Sequence, residues 1–135
     1  MSSALLSPLF TLSGKVIHGE KVGRQIGFPT VNIDQLPLGA TPKGVYAGTC
    51  SIAGKTYDCL AYFGPRLIFG EEKDSFEAYI YEFNQEVYDQ IVDFRLLNFI
   101  RSPLPFTTLS ALQAQLKDDK IKGLQALQDR HATEK

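Results

Sequence analysis

The chain has 135 residues and a formal net charge of −1, with 44% hydrophobic and 21% charged residues. That is the size and make-up of one globular domain with its own core, and it excludes bulk disorder and a second domain of ordinary size. The balanced charge, without any Lys/Arg run, gives no electrostatic ground for nucleic-acid binding, and no apolar stretch approaches the roughly 20 residues that span a bilayer.

The opening residues Met1 to Leu6 lack the charged start and long apolar core of a secretory signal, so a cytoplasmic protein is expected. Cys50 and Cys59 cannot build a disulfide framework, and with only two histidines a cage of soft metal ligands is not expected. Any metal should be a hard cation held by oxygens.

Residues 1–9 read as an arm or the remnant of a linker, and 10–131 as the folded domain. Phe10 to Ile17 has a strand pattern. Next comes a segment with glycines at 14, 19, 23 and 27, ending in Phe28-Pro29-Thr30. It is too rich in glycine for a helix and too irregular for a linker repeat. Such glycines let backbone N–H groups approach an anion, and Arg24 adds a fork of phosphate donors. A glycine-rich bend in a small barrel accounts for the same residues, and neither a Walker loop nor a dinucleotide fingerprint is present. In extended chain Thr30 and Asn32 point the same way; their two oxygens suit a Mg²⁺ ion that already carries phosphates, or simply satisfy a turn after Pro29. His18, beside Gly19, reads as a strand-end histidine more readily than as a ligand or base.

Thr41 to Gly44 marks a turn. Val45 to Ile52 and Thr56 to Phe63 read as two strands about a II′ turn at Gly54-Lys55, a register that sets Cys50 opposite Cys59 as two reduced thiols. Gly64 to Asp74 is a loop. Phe76 to Phe83 is a strand on which Glu77 shares a face with Tyr79 and Tyr81, while Phe76, Ala78 and Ile80 take the other. A carboxylate among aromatics is partly desolvated, which raises its pKa toward the range of a general base. The alternative is an edge strand with Glu77 facing water. Ile91 to Arg101 is a long strand closed by Pro103 and Pro105. Leu109, Leu112 and Leu116 then recur at helical spacing after Thr108 as N-cap, and Asp118 or Asp119 is placed to cap a second helical turn carrying Ile121, Leu124 and Leu127. No helix separates consecutive strands, which excludes a parallel βαβ sheet and leaves a mainly β, closed antiparallel barrel with a C-terminal helix.

The ordered run Gly14-Lys-Val-Ile-His-Gly19, Gly23-Arg24-Gln-Ile-Gly27-Phe28-Pro29-Thr30-Val31-Asn32 resembles the riboflavin kinase family, which also forms the C-terminal module of bacterial bifunctional FAD synthetases. Gly44-Val45-Tyr46-Ala47, Gly64, Phe69-Gly70, Phe76-Glu77, Phe83 with Tyr88, Phe99-Ile100-Arg101 and Phe106 follow in family order. The resemblance implies a six-stranded Greek-key barrel and transfer of the γ-phosphate of ATP to the ribityl 5′-hydroxyl of riboflavin, giving FMN. It implies Mg²⁺ or a similar divalent cation at Thr30 and Asn32, nucleotide contacts at Gly19 and Arg24, Glu77 as the base, and Arg101 and Phe106 at the flavin. It also implies a fused or separate adenylyltransferase, with a monomer for the isolated domain. Departures from the pattern are Val31 for the usual alanine, Tyr62 for asparagine, Leu67-Ile68 for Pro-Thr, and Asp89 for glycine. They make a catalytically weak flavin- or nucleotide-binding module the second expectation.

Overall fold

The computed structural model describes residues 8–18, 27–37, 39–65 and 73–134. Six strands, β1 (Phe10–Ile17), β2 (Val31–Ile33), β3 (Gly44–Ile52), β4 (Lys55–Pro65), β5 (Asp74–Ile80) and β6 (Ile91–Arg101), close into a barrel, and helix α1 (Leu109–Glu134) follows. The order around the barrel is β1-β2-β5-β4-β3-β6, and every pairing is antiparallel. β3, β4 and β5 are consecutive neighbours, and β6 returns to lie beside β3, which is the Greek-key order. The expected fold is the observed one.

Alternation decides which side chains fill the barrel. Phe76, Ala78 and Ile80 of β5 point inward with Tyr46, Phe94 and Leu96, all nearly excluded from solvent. A second apolar cluster lies outside the barrel wall, where Val45, Ala47, Leu60 and Tyr81 meet Leu127 of α1. The helix comes close at Gly123, where an added Cβ would stand 2.4 Å from Cδ2 of Leu60. Tyr81, just past the end of β5, donates its hydroxyl to the Lys120 carbonyl at 2.8 Å, and Arg130 donates to the Leu97 carbonyl of β6 at 2.7 Å, so α1 is fastened to the barrel at two points. Thr108 caps it as expected, its hydroxyl oxygen accepting the Ala111 N–H at 3.1 Å.

Three local readings are corrected. The β3–β4 turn is Ala53-Gly54, with φ of 51° and 84°, a type I′ conformation rather than II′ at Gly54-Lys55. Cys50 therefore pairs with Tyr57 and Cys59 with Gly48, so the cysteines are diagonal neighbours; their thiols still meet, and both are free and buried. Alanine carries no sequence signal for positive φ, which is why the turn reads one residue late. β5 ends at Ile80, because Glu82 enters the left-handed region at φ 54°. The second cap at Asp118 or Asp119 does not exist. α1 is continuous, Asp118 pairs with Lys122 on its surface, and Asp119 is 1% exposed.

Candidate active site

The site lies on the outer face of the barrel, where three neighbouring strands present a row of side chains. β2 pairs with β5 so that Asn32 is opposite Glu77, and β5 pairs with β4 so that Glu77 is opposite Tyr62. Opposed residues of antiparallel strands project from the same face. The row continues through Val45 of β3 to Arg101 of β6. Inward packing of Phe76 and Ala78 forces Glu77 outward, where it is half-buried.

Thr30 lies just before β2 and donates its hydroxyl to Oε1 of Glu77 at 2.9 Å. Asn32 is 9% exposed. The Pro29-Thr30-Val31-Asn32 run and Glu77, 45 residues further along, thus meet on adjacent strands. Phe28 anchors this segment by packing on Tyr79, ring centroids 5.8 Å apart, and Lys120 of α1 lies over the same ring at 5.4 Å. Glu82, one turn beyond β5, is exposed and takes no part.

At the far end of the row, Nε and Nη2 of Arg101 donate to Oδ1 and Oδ2 of Asp119 at 2.8 and 2.7 Å, and Nη1 donates to the Ser102 carbonyl at 3.2 Å. Gln115 donates to the same carboxylate at 2.9 Å. Phe106 is half-buried in the link between β6 and α1. His18 stacks on Tyr88, centroids 3.8 Å apart, in keeping with a strand-end histidine. Gly19 and Arg24 lie outside the described residues.

Two members were missed from the sequence. Tyr62 registered only as a departure from family pattern. Its burial pushes the phenol up to about 12, with Glu77 and Asp74 adding to the rise and Arg101 opposing it, so the group is neutral beside the carboxylate. Asp119 read as a cap, yet its spacing from Leu112, Leu116 and Leu127 places it on the core-facing stripe of α1. An acid on such a stripe signals a buried cation nearby.

The family model described as Flavokinase, riboflavin kinase, matches residues 6–127. The chain belongs to the riboflavin kinase family. It is 37% identical over 121 residues to the bifunctional riboflavin kinase/FMN adenylyltransferase of Listeria monocytogenes, covering 88% of this chain and 38% of that protein. The Bacillus subtilis protein of the same description is 34% identical over 128 residues, 92% of this chain and 40% of its own. This member of the family thus spans about two fifths of these relatives' length. Among solved structures, riboflavin kinase from Trypanosoma brucei matches at TM-score 0.60 and 29% identity, covering 87% of this chain and 79% of that one. A Streptococcus pneumoniae structure described as a macrolide-efflux protein matches at TM-score 0.72 and 36% identity, over 84% of this chain and 37% of its own.

Proposed function

We propose that this riboflavin kinase family member transfers the γ-phosphoryl group of ATP to the ribityl 5′-hydroxyl of riboflavin, giving FMN and ADP. The observation that carries the reading is the Thr30–Glu77 hydrogen bond, which joins a hydroxyl suited to a metal–phosphate group to an acid suited to activate a hydroxyl, with Asn32 opposite that acid on β2. The bond between the 5′-oxygen and γ-phosphorus forms as the bond from γ-phosphorus to the bridging oxygen of ADP breaks, and the hydroxyl proton passes to Glu77. Thr30 holds the carboxylate in orientation for that transfer.

The donor chemistry fits Mg²⁺. A hydroxyl and an amide oxygen suit a hard cation that keeps waters and phosphate oxygens, and among the described residues no group of three His, Cys, Asp or Glu side chains competes as a protein cage. Thr30 and Asn32 would hold the ion, which when bound neutralises phosphate charge. Gly19 and Arg24 are proposed for the nucleotide, and Phe106 and Arg101 for the flavin. Arg101 serves there with the donors not engaged by Asp119 and Ser102. We take 10–131 as the kinase domain of a cytoplasmic protein, working as a monomer beside a fused or separate adenylyltransferase. Among the described residues no helix is long and apolar enough to cross a membrane.

Incubation with riboflavin, ATP and Mg²⁺, followed by chromatography, should yield FMN, and EDTA should abolish it. The Tyr62 departure favours a second reading, a binding module of the same fold. Riboflavin fluorescence quenched by the chain, with no FMN at any metal concentration, would decide for that module.

A further inference from the structure

Tyr62 stands between the two ends of the row, with Glu77 on one side and Val45, then Arg101, on the other. Its ring therefore lies on the outer face beside the carboxylate. The hydroxyl is turned along its own strand and donates to the Pro65 carbonyl. Gly64 leaves room for that bond, since a Cβ there would stand 2.9 Å from the phenol oxygen and 3.4 Å from Cγ of Pro103. The ring is held at both ends. The ring packs in part against the second apolar cluster and is only half-buried, so what its remaining surface offers to a ligand is flat hydrocarbon, its one hydrogen-bond donor being committed elsewhere.

The order of the strands sets what passes over that surface. Phosphoryl transfer keeps the attacking and leaving oxygens roughly in line. With the nucleotide end at Thr30 and Asn32 beside β2 and the accepting hydroxyl at Glu77 on β5, the body of the acceptor continues away from β2. The next strand in that direction is β4, and Tyr62 is its residue in the row. We propose that Tyr62 is a specificity-determining residue, the aromatic wall against which the planar ring system of the acceptor lies while its hydroxyl reaches Glu77. This rests on the riboflavin kinase reading above. A flat heteroaromatic gains offset or edge contact with the phenol, whereas a polyol without a planar group gains none.

The test uses the full chain, with riboflavin fluorescence titrations without ATP and initial rates of FMN formation with ATP. Tyr62→Leu keeps bulk and apolarity but removes the ring. It should raise the riboflavin Kd and KM by roughly tenfold and leave the ATP KM within about twofold, while Tyr62→Phe stays within about threefold of wild type throughout. An unchanged riboflavin Kd in Tyr62→Leu overturns the wall, as does a Tyr62→Phe loss equal to that of Tyr62→Leu, or a joint rise of both KM values. If Tyr62→Leu fails to fold by far-UV circular dichroism, Tyr62→Met is read in its place. A wild type that neither binds nor phosphorylates riboflavin overturns the kinase reading and this inference together. A wild type that makes FMN, with a Tyr62→Leu variant of unchanged affinity, overturns the wall alone.

Discussion

Arg101 and Asp119 form a two-point ion pair, 2.8 and 2.7 Å long, that joins the last residue of β6 to the middle of α1. The arginine side chain is 15% exposed and the aspartate 1%, so both charges depend on one another for solvation. Truncating either partner strands the other. Asp119→Ala should therefore cost about 3–5 kcal/mol in urea unfolding. The double variant Arg101→Met with Asp119→Leu should be more stable than either single change, because an apolar pair of similar volume removes both desolvation terms. A double variant no better than Asp119→Ala would mean that the hydrogen-bond geometry at Gln115 and Ser102, rather than the buried charges, sets the cost.

Glu77→Gln separates chemistry from architecture. The amide oxygen can still accept the Thr30 hydroxyl, so stability should stay within about 0.5 kcal/mol of wild type. It cannot take the proton of an attacking hydroxyl, so kcat for FMN formation should fall by on the order of 10² or more. Stopped assays with chromatographic quantification of FMN measure the rate, and near-normal turnover removes Glu77 from the role of base.

Much of this arrangement was readable in advance, for reasons that are local. The sequence places β6 at its observed bounds because β-branched and aromatic residues end against Pro103 and Pro105. It finds β3 and β4, read as Val45 to Ile52 and Thr56 to Phe63, from the brackets at Gly44 and Gly54; the strands themselves run one residue earlier at the start of each and two further at the end of β4. The face shared by Glu77 and Tyr79 follows from alternation alone. Which face is the core does not, since Phe76 and Tyr79 are both aromatic and only closure of the barrel buries the first. The meeting of Thr30 with Glu77 was implied by family resemblance, not by spacing, because β2 has three residues and its pairing with β5 is long-range. Asp119 was misread for a related reason. An acid in a helical run looks like a cap until its partner, 18 positions earlier on another element, is known.

The β3–β4 turn gives an opportunity to stabilise the chain. Ala53 sits at φ 51°, where a Cβ crowds the following carbonyl, and Gly54 follows at 84°. Type I′ turns favour Asn-Gly at these two places, and asparagine tolerates the left-handed region better than alanine. Ala53→Asn should stabilise the protein by roughly 0.5–1 kcal/mol, read as a higher urea midpoint with an unchanged slope. The turn is exposed and distant in sequence from Thr30 and Glu77, so kinetic constants should not move. A lower midpoint would show that Ala53 is better accommodated than its dihedral indicates.

Stability should decline in alkali, and Tyr62 accounts for a defined part of the decline. Burial chiefly, with Glu77 and Asp74 adding and Arg101 opposing, pushes its phenol up to about 12 from 10.0. The folded chain then keeps a proton that the unfolded chain releases, so this contribution is fully present below pH 10.0 and is lost as pH rises to about 12. Tyr81, buried beneath α1, and Cys59, held protonated by its contact with Cys50 and by burial, shift in the same direction. The wild-type urea midpoint should therefore fall steadily above about pH 9–10. Tyr62→Phe cannot ionise but loses the bond to the Pro65 carbonyl, which costs about 0.5–1.5 kcal/mol at neutral pH. The variant should start less stable and decline less steeply, so that the two curves approach one another toward pH 12. Parallel curves across that range would show that the Tyr62 hydroxyl ionises as readily in the folded chain as in the unfolded one.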